Sequence, residues 1–504
     1  MPVPPEPLPA QLRGAALERA IIEGFRERIM GHRNTLASVE RVVTQIRPIV
    51  EQAALQASVQ RAFQQMARDQ GVPVQQVRRE WIALQEADLM LESGGDPDAI
   101  SASWAEGVAQ WLATTGQGAG LAIQLDASRR LTERIRQLEH RIAWLEYRLH
   151  PRADLSLPDV PRLSVEEARA RRDRYYAALQ VLRARRRRVD ARYDPREAIF
   201  AQTRYLLRLY RRFPSVDWLL QAYHGGEGGV TRTLRLYLGR AWPGTTAAAI
   251  RKGLRGRLLR FAEVYEKTAP RSHPEAFMYL YGRSDDHRHY WWKLLACREI
   301  IAQYRKDPVA FRAAWEAHLP GRGREARWYP TGPAHALVDE TAVRSAVRLQ
   351  VLIPVPVPSL CLPETGVRAV LQPEAAGLLR LIVSTYRQNG GRLRLRLGDM
   401  TLTTAESQKL RLMRRLPSPK PPWPPDPDAL PPPGGGPPPD FDYHTTGLAF
   451  DLLWPEDPRD RKILDYAIGF WEDRQVLARR EERDAGPRRW HLVPNPRYAT
   501  TLRL

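Results

Sequence analysis

Apolar residues recur at three- and four-residue spacing from about Leu12 to Glu86, as at Ile46, Ile49, Val50 and Leu55, and predict helix through most of that stretch. Gly71-Val72-Pro73 interrupts it as a turn. Over residues 125–149 the pattern tightens. Leu131, Ile135, Leu138, Ile142, Leu145 and Leu149 alternate by four and three, an a/d seam with charged flanks. Prolines at 151, 158 and 161 break it, and a second helix is predicted from Ser164 to Arg188, ending in Arg183-Ala-Arg-Arg-Arg-Arg188. Two such helices joined by a turn predict an antiparallel hairpin. Residues 196–315 read as helix again, with breaks at His224–Gly229 and near Pro243 and Pro270.

Beyond residue 318 the pattern changes. Residues 318–344 read as a linker. Val347–Pro358 and Gly391–Leu402 alternate or are β-branched and predict strands, with a helix between them over Pro373–Asn389. Residues 417–440 are a Pro/Gly segment that cannot lie inside a helix or sheet. The expected fold class is therefore multi-domain, with an all-α N-terminal part and an α+β C-terminal part.

Length and charge narrow the function classes. A chain of 504 residues exceeds one ordinary core. Its 43% hydrophobic content supports packed domains. The net charge of +21 favours polyanionic partners, although arginine-rich codon usage alone would give the same excess. The basic run at 183–188 lacks the interleaved aromatics of single-strand binders, so no nucleic-acid partner is expected. Cys297 and Cys361 provide neither a disulfide framework nor a cysteine zinc site. No apolar run is long enough for a membrane span, and the N-terminus, Pro-rich over residues 1–10, does not read as a signal peptide.

The first candidate site lies in Leu91–Gln110, LESGGDPDAISASWAEGVAQ. Glu92 closes an apolar helical stretch and is followed by a Gly-rich turn. A carboxyl there, partly desolvated beside a cleft, suits general acid work. The segment resembles the soluble lytic transglycosylase motif, with Glu92, Ser93, Pro97, Ala99, Ser101, Gly107 and Gln110 in matching order. Trp104 replaces a usually small residue. Tyr193-Asp-Pro-Arg-Glu-Ala-Ile199, Ala222-Tyr-His-Gly-Gly-Glu-Gly228 and Asp286-His-Arg-His-Tyr290-Trp-Trp-Lys-Leu-Leu resemble later motifs of the same family, in order. His224 and Glu227 depart from its Asn and Pro.

Gln110 and Tyr193 are 83 positions apart, well beyond the family's spacing. The excess is the predicted hairpin, expected as an insertion at 124–190 between the two parts, 1–123 and 191–317, of a lysozyme-like domain. The resemblance implies that Glu92 protonates the glycosidic oxygen between N-acetylmuramic acid and N-acetylglucosamine. The same group then takes the proton of the muramyl 6-hydroxyl, giving a 1,6-anhydro product. That departs from the usual two-carboxylate scheme. It fits the absence of an evident partner carboxylate in a second motif. Asp96 and Asp98 read as turn and cap residues. Ser93 is implied to orient Glu92 or the substrate, and Gln110, Tyr223 and Tyr290 to line the sugar cleft.

The second candidate site is Tyr443–Asp451, YHTTGLAFD, with Trp490-His491 downstream. Two imidazoles and a carboxylate, His444, Asp451 and His491, make a three-ligand set for Zn²⁺ with a fourth position open. His444, Gly447, Ala449, Asp451, Trp490 and His491 resemble the signature of the zinc D-Ala-D-Ala carboxypeptidases and related D,D- and L,D-peptidases. Gln408 fits loosely with an upstream helix of that family. The family's general-base glutamate falls on Arg488 here, and its substrate-binding arginine is not evident near Met400–Thr404. Glu472, Glu481 and Glu482 are the alternative bases. Whether the domain expected at 345–504 cuts stem peptides or only binds them is open.

Both resemblances point to one polymer. The expected protein is a peptidoglycan lytic transglycosylase joined to a zinc D,D-peptidase-like domain, acting outside the cytoplasm by an unidentified export route. Its partners would be glycan strands, stem peptides and a protein bound through the hairpin. The alternative is a wall-binding scaffold whose enzyme-like domains are degenerate, which Glu92 argues against and Arg488 argues for.

Overall fold

The computed structural model describes residues 6–149, 164–239, 247–255, 259–283, 285–318, 328–329, 336–355, 361–407, 443–482 and 488–503. The Pro151–Pro161 break, Pro243, Gln408 and the Pro/Gly segment 417–440 lie outside them.

The N-terminal part is helical. In chain order it comprises α1 (Gly14–Met30), α2 (Thr35–Arg41), a π-helical turn at Val42–Ile46, α3 (Arg47–Ala54), α4 (Ala57–Gln70), α5 (Val74–Ser93) and α6 (Ala113–Gly118). The hairpin helices α7 (Leu125–Leu149) and α8 (Val165–Val189) follow. Then come α9 (Pro195–Arg212), α10 (Val216–Gly225), α11 (Glu227–Leu238), α12 (Ala247–Arg255), α13 (Phe261–Lys267), α14 (Pro274–Leu280), α15 (Asp285–Lys306) and α16 (Pro308–Glu316). One continuous core, including Val50, Phe63, Leu89, Ile199, Trp218 and Trp292, joins the helices on both sides of the hairpin.

The central helix of this core is α5. It is buried nearly all round from Trp81 to Met90, polar residues included. A helix of that kind must pair each polar group internally. Glu86 pairs with Arg47 and Arg305, and the Gln85 side-chain amide donates to Gln202 and Thr203. Glycines end the helix. Gly94 has φ +62°, and a Cβ there would lie 2.5 Å from the Ser38 hydroxyl. The Gly94 and Gly95 amides close onto the Met90 and Leu89 carbonyls, which leaves Glu92 in the final turn.

The hairpin has the geometry an insertion requires, because its two ends lie side by side. Gln124 N–H donates to Val189 O and Ala191 N–H to Ala122 O, both within 2.9 Å. The expected seam forms the hairpin core, where Ile135 and Ile142 meet Leu179.

The C-terminal part is α+β. A helix α17 (Glu340–Arg348) occupies the end of the stretch expected as linker and takes up Val347 and Arg348 from the stretch expected as strand. Among the described residues of that stretch, strand pairing is confined to β1 (Ile353–Pro354) with β3 (Val370–Leu371). The main sheet has the order β2-β4-β5-β7-β6, formed by β2 (Cys361–Pro363), β4 (Leu395–Leu397), β5 (Phe450–Leu453), β6 (Leu477–Glu482) and β7 (Arg489–Pro494). Only β2 and β4 run parallel. Two helices, α18 (Pro373–Gln388) and α19 (Pro458–Glu472), share a core with one sheet face through Leu378, Ile382, Leu397, Phe450, Leu452 and Ile468.

The two parts meet along α14, α15 and α19. Arg288 pairs with Asp465 at 2.8 Å, Lys462 donates to Met278 O at 3.0 Å, and the Tyr265 hydroxyl donates to Asp473 at 2.7 Å. Among the described residues, no helix is long and apolar enough to cross a membrane.

Candidate active site and candidate metal centre

Glu92 projects from the last turn of α5 with 12% of its side chain exposed. Its Oε1 lies 2.7 Å from the Tyr290 hydroxyl of α15 and 3.2 Å from His224 Nδ1 of α10. The His224 ring stacks on Tyr290, with centroids 4.0 Å apart and planes 13° apart. Three helices distant in sequence thus converge on one carboxylate oxygen, Oε1.

A second carboxyl, not singled out by the motif, lies beside the first. Asp88 precedes Glu92 by one helical turn, is fully buried, and its Oδ1 lies 2.5 Å from the Tyr290 hydroxyl. A phenol donates one proton. With two ionised carboxylates at that oxygen, one contact would be repulsive, so one carboxyl carries a proton. Burial first, and then the neighbouring Glu92 charge, push Asp88 well above the usual carboxylate range. Gln202 Nε2 donates to the other oxygen, Oδ2, at 2.8 Å. The shift favours the neutral form of Asp88, and the Tyr290 hydroxyl lies within hydrogen-bond reach of both carboxyls. Burial, followed by the two carboxylates, likewise keeps the Tyr290 phenol protonated. The i, i+4 spacing of Asp88 and Glu92 on one helix was the available sequence signal.

The other expected site residues shape the loop after Glu92. The Ser93 hydroxyl lies 2.7 Å from Val108 O and 3.2 Å from Leu89 O, so it ties the helix end to the loop. Gln110 has φ +48°, and its side-chain amide donates to Gly107 O at 2.9 Å. Gly107 packs so closely that a Cβ would fall 1.9 Å from Arg192 O. The Tyr223 hydroxyl donates to Ala109 O, and its ring packs edge-on against Trp111 and Tyr205. Ser93, Gln110 and Tyr223 thus hold the wall of the site in place, while Tyr290 and His224 touch the carboxylate itself. Asp96 accepts from the Asp98 amide as an expected turn residue. Asp98 does more, pairing with Arg186 at 2.7 Å and Arg183 at 3.4 Å and so anchoring the hairpin to this loop.

The second site forms on the sheet. Asp451 and His491 are direct cross-strand partners on β5 and β7. Strand alternation sends Phe450 and Leu452 into the core and Asp451 to the opposite face. His444 arrives from the turn Tyr443–Thr446. His444 Nε2, His491 Nδ1 and Asp451 Oδ1 are mutually 3.1 Å apart and all three residues are buried. Ligand atoms of an ideal tetrahedral zinc site are separated by about 3.3 Å, given bonds of about 2.0–2.1 Å. Two nitrogens and one oxygen also suit zinc chemically.

His444 Nδ1 donates to Met400 O at 2.8 Å, which fixes the tautomer and turns the Nε2 lone pair inward. Burial alone would raise the Asp451 carboxyl, but the facing imidazoles outweigh it and hold the group ionised. The residues present fit a zinc ion.

No glutamate of the described side chains replaces the one expected at 488. Arg488 is exposed and lies over the Trp454 ring at 5.3 Å. The Glu472 carboxylate is committed to Arg28 and Arg479. Glu481 pairs in register with Trp490, on the sheet face opposite His491. Glu482 pairs in register with Arg489. The cation beside the triad is Arg489, whose Nε lies 3.5 Å from Asp451 Oδ2.

No family model, curated protein or solved structure matches the chain, so both resemblances rest on the motif residues themselves.

Proposed function

We propose that the protein is a peptidoglycan lytic transglycosylase with Glu92 as its single acid/base, built on a lysozyme-like domain that the hairpin interrupts. The observation that supports this best is the setting of Glu92. One carboxylate oxygen is held by Tyr290 and His224, while the nearest second carboxyl, Asp88, is buried behind the phenol with its pKa raised by burial and by the Glu92 charge. A hydrolase of the usual kind needs a second carboxylate facing the sugar. An intramolecular transfer needs only one group that gives a proton to the leaving oxygen and then takes the 6-hydroxyl proton. In the second step Glu92 is ionised, and the Tyr290 hydrogen bond stabilises that form.

The C-terminal part, on this proposal, is a D,D-peptidase-like domain that holds zinc through His444, Asp451 and His491 and binds stem peptides without cutting them. Arg488 at the position of the family's base favours binding over cleavage. A zinc ion there would polarise a peptide carbonyl, while Arg489 would draw in a carboxylate.

The test is digestion of purified sacculi by the wild type and by Glu92→Gln, with soluble products read by mass spectrometry. Muropeptides ending in 1,6-anhydro sugars, absent with the variant, are the expected result. Reducing-end products alone, or no release by the wild type, would sink the proposal.

A further inference from the structure

The loop after Glu92 and the root of the hairpin enclose a cavity of about 230 Å³, lined by Asp98, Ile100, Thr132, Arg136, Glu139 and Arg186 among others. Nothing in the transglycosylase reading accounts for it, since five of its seven lining residues come from the inserted helices. Arg186 lies in that wall with 1% of its side chain exposed. Its two terminal nitrogens donate to Thr132 Oγ1 and Asp98 Oδ1, at 3.2 and 2.7 Å. Its buried Nε has no acceptor. A buried guanidinium nitrogen left unpaired is costly and marks a place where a ligand oxygen would be stabilised.

Trp104 supplies a second, independent observation. It has φ +62°, a left-handed conformation that a bulky residue adopts only under constraint. Such strain is of the order of 1–3 kcal/mol and gathers at ligand sites. The constraint presents the indole to solvent, with 54% of the residue exposed. The Arg136 guanidinium, reaching over from α7, lies 5.1 Å from the ring centroid. Arg136 pairs with no carboxylate among the described residues and also lines the cavity.

A flat apolar ring next to a pocket with guanidinium donors and carboxylate acceptors is the chemistry that recognises a sugar. The C–H face of the sugar rests on the ring, and its hydroxyls meet Asp98 and Glu139. Arg136, which pairs with no carboxylate among the described residues, and the Nε of Arg186, which has no acceptor, favour a sugar carrying a carboxylate. We propose that this cavity is a saccharide subsite for an anionic amino sugar, built jointly by the hairpin and the loop after Glu92, with Trp104 as its platform. The proposal rests on the transglycosylase reading for its substrate class and adds a role for the insertion: it extends the glycan contact beyond the cleaved bond.

Calorimetric titration of the full chain carrying Glu92→Gln tests it, with two probes. One is the peptide-free peptidoglycan tetrasaccharide, whose lactyl carboxylates are free. The other is chitotetraose, which is neutral. Adding Trp104→Ala should weaken both by roughly tenfold, the loss of about 1.4 kcal/mol of contact. Adding Arg136→Ala should weaken the anionic probe and leave chitotetraose unchanged. Equal affinities for all three proteins, with circular dichroism showing each folded, would overturn the subsite, as would failure of the parent to bind either probe. Trp104-dependent binding without release from sacculi would remove the activity and keep the subsite. Release from sacculi with Trp104-independent binding would do the reverse.

Discussion

Asp88 and Glu92 occupy successive turns of α5, and the Tyr290 hydroxyl stands between them at 2.5 Å from one and 2.7 Å from the other. The two carboxyls differ in what surrounds them. Asp88 is enclosed by Gln202, Tyr290 and core, whereas Glu92 keeps 12% of its side chain exposed. The phenol reaches both the inner and the outer carboxyl. On the proposed reading Asp88 is a positioning residue and Glu92 the acid/base.

The raised pKa of Asp88 carries a sign for stability. Its folded-state pKa is raised, so between the unfolded value of about 3.9 and the folded value the native state binds the extra proton. Stability from this group is complete below about pH 4 and falls as pH rises toward the folded pKa. Asp88→Asn keeps a donor and an acceptor in place but cannot ionise. The variant should match the wild type in urea unfolding near pH 3 and exceed it near pH 7. A variant less stable than the wild type at pH 7 would show that Asp88 is ionised in the folded protein.

Tyr290→Phe removes the hydrogen bond to the ionised form of Glu92 while keeping the ring that stacks on His224. Hydrogen bonds to charged groups contribute about 1.5–3 kcal/mol, so turnover of sacculi should fall by roughly 10- to 100-fold. Wild-type turnover would remove Tyr290 from the mechanism.

Helix dominated what could be read from the chain. The seam at Ile135, Leu138 and Ile142 marked the hairpin because its period is regular and its partner helix is close in sequence. Glu92 and the His444–Asp451–His491 set were legible because each lies in a local motif with a turn glycine. Asp88 and His224 acquire their roles only when α5, α10 and α15 meet, which no local pattern encodes. Strand β6, Leu477–Glu482, was missed for another reason. It is an edge strand with four charged residues in six, a composition that protects an edge from further pairing and erases the strand pattern.

Hairpin docking depends on Asp98. Its carboxylate faces Arg186, a cation with 1% of its side chain exposed. Removing one partner of a buried pair leaves an uncompensated charge, at a cost of about 3–5 kcal/mol. Asp98→Ala should therefore lower unfolding free energy by about that amount. It should also reduce sacculus turnover, because the loop it leaves also carries the Gly107–Gln110 wall. A loss below about 1 kcal/mol, the range of exposed pairs, would mean the hairpin is not held there.

Arg488 is the departure that decides the second domain. If the triad binds zinc and lacks only a base, Arg488→Glu should create D,D-carboxypeptidase activity, read as D-alanine released from a pentapeptide muropeptide. Arg488 is exposed and its one described contact, over Trp454, is worth roughly 0.5–1 kcal/mol, so the change is tolerable for folding. The wild type should release no D-alanine. Release by the wild type would locate a base elsewhere and overturn the binding-only reading.

The zinc assignment itself is tested without any activity. Three acceptor atoms held 3.1 Å apart in a buried site repel one another unless a cation or a proton joins them. With His444 Nδ1 donating to Met400 O, His444 Nε2 has no proton of its own to contribute in the neutral ring. His491 Nδ1 has one proton at most, which cannot serve both Asp451 and His444. A bound zinc ion relieves all three contacts, and elemental analysis of the purified chain should find one per molecule. His444→Ala and Asp451→Asn should each lose it. Because metal bound only by the native state adds about 2.7 kcal/mol at a hundredfold excess over its Kd, chelation should lower the wild-type melting temperature and leave both variants unmoved. A wild type that holds no zinc after dialysis against the metal, or a chelator with no effect on its melting, would reduce the triad to a protonated histidine pair around Asp451.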